Sequence, residues 1–273
     1  MISKVKILGD NHIRFPRWLD ALIYDEIKAC YQPCRQDMVV LNWDRTEIIK
    51  YLGTYFPRSF AESYCIFSRY FKEHKNDFAQ EESLNIFDFG CGTGGELLGL
   101  LWAIKENLSV STITIKALDG NFNALRFLEH IIERFKMDFH DGLSLKVMAL
   151  QIDDFYDMSV VESQIPYDNH IVLIFKSICE MASLRQFDEK NPYEHILNIM
   201  LGKLSSNGII CLADVSSFNE EQKEWLPKLI DKACLATGSN VCMRNENYNE
   251  VFHVSHSAKP KDTSKLSWRI IKN

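Results

Sequence analysis

Apolar positions recur with a helical period through the first 82 residues, then give way to short apolar runs alternating with helical stretches. Leu19, Leu22, Ile23, Ile27 and Cys30 follow the i, i+3, i+4 spacing of an amphipathic helix over 18–31. Asp44-x-x-Glu47 is a capping box ahead of Ile48, Ile49 and Leu52, so a second helix starts there and stops near Gly53. Ser59-x-x-Glu62 has the same form and opens a third, with Tyr64, Phe67 and Phe71 on one stripe.

From residue 84 the elements alternate. An apolar run over 84–89 ends in a Gly-rich turn and leads into a helix over 96–106; a β-branched run over 112–118 ends at Asp119 and leads into a helix through Leu125, Leu128, Ile131, Ile132 and Phe135. Strands follow at 143–150 and 171–175, the latter continuously apolar as in a sheet covered on both faces. A helix over 194–204, a strand over 209–213 and a helix capped by Asn219-x-x-Gln222, with Trp225, Leu226, Leu229 and Ile230 inward, come next. The strand-like runs 250–256 and 267–272 are joined by a polar segment too short for a crossover helix, which predicts an antiparallel hairpin. The pattern is that of an α/β protein with a seven-stranded, mostly parallel sheet. It divides into a helical N-terminal lid or substrate-recognition segment, 1–82, and a sheet domain, 83–273.

A length of 273 residues suits one large domain or a core with an appendage, and 46% hydrophobic with 25% charged residues excludes a disordered or fibrous chain. The net charge of −6 lies wholly beyond residue 82, since the first 82 residues carry 12 basic and 12 acidic side chains. That balance gives no support to a generally cationic nucleic-acid or membrane binder, although the neutral first segment leaves RNA open. The eight cysteines are scattered, with Cys30-x-x-x-Cys34 the one short spacing, which makes neither a disulfide framework nor a metal-ligand set. No secretory leader and no long apolar run is visible, so a soluble cytoplasmic protein is expected.

The sharpest chemical signal is Asp88-Phe-Gly90-Cys91-Gly92-Thr-Gly94-Gly95-Glu96, set where a buried strand turns into a helix. Glycines there permit positive φ and close approach of a ligand to the backbone, and the helix N-terminus offers free N–H groups. Read as G-x-G-x-x-G, the string suggests a dinucleotide; read as acidic-x-G-x-G-x-G, it does not. The second form resembles the class I S-adenosylmethionine-dependent methyltransferases. The acidic residue before the first glycine, Asp119 at the second strand end and the terminal hairpin all side with that resemblance over an NAD site.

The resemblance spans about 84–273 and implies a Rossmann-like fold binding S-adenosyl-L-methionine. It implies that Asp88, Gly90, Gly92 and Gly94 hold the methionine portion, with Cys91 in the same turn, and that Asp119, followed by Gly120, holds the ribose. It also implies that Asp153 or Asp154 meets the adenine amine, with Phe155 and Ile152 about the ring. Lys176 to Glu180 occupy the place where family members meet the transferred methyl or the substrate. The stretch Tyr51 to Tyr64 looks loosely like the mitochondrial small-subunit ribosome-assembly methyltransferase-like family, whose cysteine-rich metal-binding segment this chain lacks. It makes Arg58 and Tyr64 lid candidates for the methionine carboxylate or the acceptor.

The acceptor is unassigned. The fourth strand ends in Phe175-Lys176-Ser177-Ile178 rather than the Asn/Asp-Pro-Pro-aromatic string of base-amine enzymes, and Asn191-Pro192-Tyr193 reads as a helix start. Cys179 lacks the context of a cytosine nucleophile, and His253 and His256, three apart on a strand, point to opposite faces and make no metal pair. A small molecule or a peptide is favoured over RNA. The rivals are a non-catalytic SAM-binding assembly protein and an NAD-dependent oxidoreductase.

Overall fold

The structure, a computed structural model, describes residues 4–33, 42–139, 142–181, 190–220 and 222–273. Cys34, which the spacing paired with Cys30, lies outside them. The N-terminal part opens with a hairpin of β1 (Lys6–Gly9) and β2 (His12–Arg14), then α1 (Arg17–Asp20), a π-helical turn (Ala21–Glu26) and the long helix α2 (Arg45–Glu73). The alternating part runs β3 (Ser83–Phe89), α3 (Gly95–Asn107), β4 (Thr112–Asp119), α4 (Phe122–Phe139), β5 (Leu143–Ala149), α5 (Ser159–Gln164), β6 (Asn169–Phe175), α6 (Ile178–Met181), α7 (Pro192–Leu201) and β7 (Leu204–Asp214). The short pair β8 (Phe218–Asn219) and β9 (Glu224–Trp225), α8 (Leu226–Ala236), β10 (Asn240–Arg244), β11 (Glu250–His256) and β12 (Lys259–Lys272) complete it.

Ten strands form one sheet in the order β1-β2-β11-β12-β7-β6-β3-β4-β5, with β10 also on β12. Strands β7, β6, β3, β4 and β5 are parallel, and β12 and β11 add antiparallel neighbours. The seven predicted strands are all present; β1, β2 and β10 are additional. The chain leaves β3 for β4 on one side and later returns to β6 on the other, so a crevice opens beyond their carboxyl ends, the usual ligand position in such sheets.

Alternate residues of each strand feed two cores. Ile86, Ile113, Ile115 and Leu173 pack with Phe56, Phe60, Leu97, Leu101, Trp102 and Ile131 from α2, α3 and α4. Phe87, Phe89, Val172, Ile174 and Leu212 pack with Val161, Tyr193, Ile196, Leu229 and Ile230 from α5, α7 and α8. Helices α2 and α3 lie close because α3 presents Gly95 and Gly99: a methyl group at Gly95 would sit 2.6 Å from the Phe56 carbonyl oxygen, and one at Gly99 would collide with that of Phe60.

Several boundaries depart from the sequence expectation. The first helix ends at Glu26 rather than near 31, where Lys28 takes a left-handed φ of 63°. The second and third predicted helices are one: Gly53 does not stop α2, Pro57 lies inside it, and Ser59 is a mid-helix residue. The Asp44 capping box is present, with Asp44 Oδ1 accepting from the Thr46 and Glu47 N–H groups. Asn219 accepts from the Gln222 N–H in a turn, but the helix begins later, at Leu226, and Trp225 before it is exposed. The polar link of the terminal hairpin is itself strand, the first half of β12, whose side chains are mostly exposed. Asn191 caps α7 with Pro192 in its first turn, as its sequence predicts.

Candidate functional site

Where β3 ends, Gly90, Gly92 and Gly94 all adopt left-handed φ, of 70°, 48° and 79°, and turn the chain into α3. A side chain at Gly90 would collide with Ser177 and one at Gly94 with Leu128, so conformation and space both demand glycine. At the end of the adjacent β4, Asp119 accepts from the Gly92 N–H and the Asn121 N–H, each at 2.7 Å. One carboxylate thus fixes the Gly-rich turn and its own, with lone pairs left for a ligand. Burial pushes its pKa up, against those two N–H groups.

The crevice between these turns is lined by Gly90, Gly92, Asp119, Gly120, Leu118, Leu150 and Ile152 on one side and by Phe175, Lys176, Ser177, Glu180, Met181 and Tyr51 on the other; with its open mouth it spans about 760 Å³. Tyr51 comes from α2 and stands over the Gly-rich turn, its hydroxyl 3.4 Å from where a Gly92 Cβ would be. Its ring leans on Tyr55 and meets Trp43 edge-on. Lys176 follows β6 in a left-handed conformation, φ 53°, and its ammonium donates to Glu62 Oε2 at 2.7 Å and Ser59 Oγ at 2.9 Å. The supposed capping box of a third helix is therefore the anchor of Lys176.

Carboxyl groups crowd this end of the sheet. Asp88 is fully buried beneath the Gly-rich turn, and neither of its oxygens has a hydrogen-bond partner among the described residues. Burial, then Glu96 and Asp119, push its pKa well above the usual carboxylate range. Burial likewise lifts Glu96 and Glu180 to about 8, each opposed in part by Lys176. Such acids are neutral in part at pH 7 and regain charge beside a cation.

The structure brings Gly90, Gly92, Asp119, Gly120, Lys176 and Glu180 together on the cleft. Asp88 and Cys91 are buried behind it. Asp153 and Asp154 are exposed, engaged with the Gln151 side chain and the Tyr156 N–H, while Phe155 is buried against Tyr156 and His195; of that predicted group only Ile152 lines the cleft. The two lid candidates lie elsewhere. Arg58 forks onto Asp262 of β12, and the Tyr64 hydroxyl donates to Glu106 of α3. Neither His253, on Thr263, nor His256, stacked on Tyr24, lines the cleft. The Cys179 thiol, packed toward the Lys176 carbonyl, is pushed up by burial. The sequence reading missed Tyr51, Leu118, Leu150, Phe175 and Met181 as site residues, whereas Ser177 lies in the segment 176–180 that it assigned to the methyl group or substrate. A continuous α2 would have exposed the first, since Tyr51, Tyr55, Ser59 and Glu62 form one helical stripe.

Neither a family model nor a curated protein matches the chain. Solved structures do match in fold. The mitomycin 7-O-methyltransferase MmcR superposes with a TM-score of 0.50 at 12% identity, over 86% of this chain and 59% of its own length. The trans-methyltransferase CalH, solved with S-adenosylhomocysteine, gives 0.48 at 11%, over 86% of this chain and 61% of its own. The precorrin-6y C5,15-methyltransferase of Geobacter metallireducens gives 0.46 at 17%, over 78% and 89%. The chain thus spans about three fifths of the first two. At 12% identity the match to MmcR shows the fold alone, a Rossmann-like α/β arrangement. No helix of the described residues is long and apolar enough to cross a membrane.

Proposed function

We propose that the protein is an S-adenosylmethionine-dependent methyltransferase. The observation that carries this is the pairing of the left-handed Gly90-Gly92-Gly94 turn with Asp119, which holds the Gly92 N–H from the neighbouring strand end. A carboxylate at that place accepts both hydroxyls of a ribose, and the apolar Leu150 and Ile152 beside it suit a flat base. Asp88, whose oxygens have no hydrogen-bond partner among the described residues, is a carboxyl under the turn that regains charge beside a cation, which favours a donor carrying an ammonium and a sulfonium over one carrying a pyrophosphate. The residues present therefore fit this cofactor.

The bound donor would supply an activated methyl group open to in-line attack, leaving alignment and dryness to the protein. Asp119 and Gly120 would fix the ribose, Gly90 and Gly92 would let the methionine portion lie against backbone, and Tyr51 would close the mouth from α2. Lys176, locked by Glu62 and Ser59, would present a positive charge to the methionine carboxylate.

Calorimetry with S-adenosylhomocysteine and, separately, NAD tests the donor: binding of the former alone is expected, and selective NAD binding overturns the assignment. Methyl transfer from labelled donor into a cell extract, separated into small molecules, protein and RNA, tests catalysis. Tight donor binding with no label in any fraction would make the chain a binding protein instead.

A further inference from the structure

The acceptor side of the cleft is defined by what it lacks as well as what it holds. Ser177 and Glu180 line it three residues apart, beside Tyr51, Phe175 and Met181. Ser177 is 4% exposed, and its hydroxyl has no hydrogen-bond partner among the described residues. No hydrogen bond or ion pair holds the Glu180 carboxyl among the described residues. Lys176, the one cation of the lining among those residues, is committed to Glu62 and Ser59.

This charge pattern discriminates among nucleophiles. Phenols, thiols and carboxylic acids attack a methyl sulfonium as anions, and here an anion would sit against Glu180 and Asp119, carboxyls that ionise beside a cation and are pushed further toward neutrality by an anion, with no free cation in the described lining to offset it. An amine enters as an ammonium, for which a carboxylate, a hydroxyl oxygen and an aromatic face are the standard complement. We propose that the methyl acceptor is a small aliphatic amine, held as its ammonium by Glu180, Ser177 Oγ and the ring of Tyr51, and that Glu180 takes its proton before transfer. This rests on the donor reading above.

The step balances. One ammonium proton passes to the Glu180 carboxylate and frees the nitrogen lone pair. The N–C bond to the donor methyl forms as the C–S bond breaks with its electron pair on sulfur, so the sulfonium charge reappears on the methylated ammonium.

Glu180 is suited to that exchange. Burial, then Asp214 of β7 and Asp119 of β4, with Glu96 of α3, lift it to about 8 against Lys176 just after β6; Tyr51 of α2 and Cys179 beside it in α6 are further titratable groups that face it among the described residues. At pH 7 it therefore holds a proton that an arriving ammonium expels to solvent.

The test is calorimetry on the full chain saturated with S-adenosylhomocysteine, at pH 7 in two buffers of different ionisation heat, with n-butylamine, histamine and spermidine against butyrate and phenol. At least one amine is expected to bind with net proton release. Glu180→Gln should keep S-adenosylhomocysteine affinity within about twofold, which also reports correct folding, while binding that amine about tenfold or more weakly and without proton release. Ser177→Ala should weaken the amine alone. Preference for butyrate or phenol, amine binding unchanged in Glu180→Gln, or no amine bound overturns the proposal by itself. Failure of S-adenosylhomocysteine to bind wild-type protein brings down the donor reading, and this inference with it.

Discussion

The Tyr24 hydroxyl donates a 2.6 Å hydrogen bond to the carbonyl oxygen of Gly53, one turn before Pro57 in α2. Proline has no N–H, so the carbonyl four residues earlier loses its helical partner, and that carbonyl belongs to Gly53. A side chain from the π-helical turn supplies the missing donor and lets a 29-residue helix pass through a residue that would otherwise break it. Tyr24→Phe is expected to cost about 1 kcal/mol in urea unfolding. In a Pro57→Ala background that cost should largely vanish, because the substituted residue has a backbone N–H that reaches the same oxygen. A double-mutant cycle showing no coupling would refute the arrangement.

Arg58 tests a different assignment. It places Nε 2.7 Å from Asp262 Oδ2 and Nη2 2.9 Å from Oδ1, and the Asp262 side chain is wholly buried. Against the upward push of burial, His256 and Arg58 hold that carboxyl below the ordinary range. Removing one partner of such a pair strands a buried charge, so Arg58→Ala should lose about 3 kcal/mol of stability. Its affinity for S-adenosylhomocysteine should stay within about twofold. A tenfold drop would restore Arg58 to the lid role that its sequence neighbourhood suggested.

The two cases show where sequence patterns suffice and where they stop. The apolar runs over 84–89 and 171–175 and the Gly-rich turn between strand and helix are local signals, and they locate the central strands and the cleft at Gly90, Gly92 and Asp119. What escapes them is set by tertiary contacts. Gly53 and Pro57 read as helix breakers because nothing local reveals Tyr24 waiting to cap the free carbonyl. Ser59 and Glu62 read as a cap because Lys176 is more than a hundred residues away in sequence. Strands β1 and β2 are too short to show alternation; β2 is held by pairing with β11, and β1 by pairing with β2. Asp153 and Asp154 fall on a loop whose course no periodicity records.

Buried acids give the ligand-free protein a characteristic pH response. Burial raises Glu96 from 4.5 to about 8, and it raises Asp88 and Glu180 in the same sense. Between those limits the native state binds more protons than the unfolded chain, so unfolding free energy falls as pH rises from about 5 to 8. Melting temperature measured across that range should decline, and Glu96→Gln, which stays neutral, should flatten the decline. A melting temperature that climbs steadily from pH 5 to 8 would contradict the burial of these groups.

Asp119 separates anchoring from charge. Its oxygens receive the Gly92 and Asn121 N–H groups in the protein itself, and a donor ribose would add two hydroxyls to the same carboxylate. Asp119→Ala removes both sets, so it should loosen the Gly-rich turn and weaken S-adenosylhomocysteine by at least about tenfold, the cost of one or more charged hydrogen bonds. Asp119→Asn keeps the shape but turns one acceptor into an amide donor, which would face either a backbone N–H or a hydroxyl. It should bind between wild type and Asp119→Ala. Adenine alone, lacking the ribose, should distinguish the three proteins far less, and calorimetry with both ligands reads the difference directly. Equal losses for adenine and S-adenosylhomocysteine would mean that Asp119 acts only by shaping the turn and does not hold the sugar.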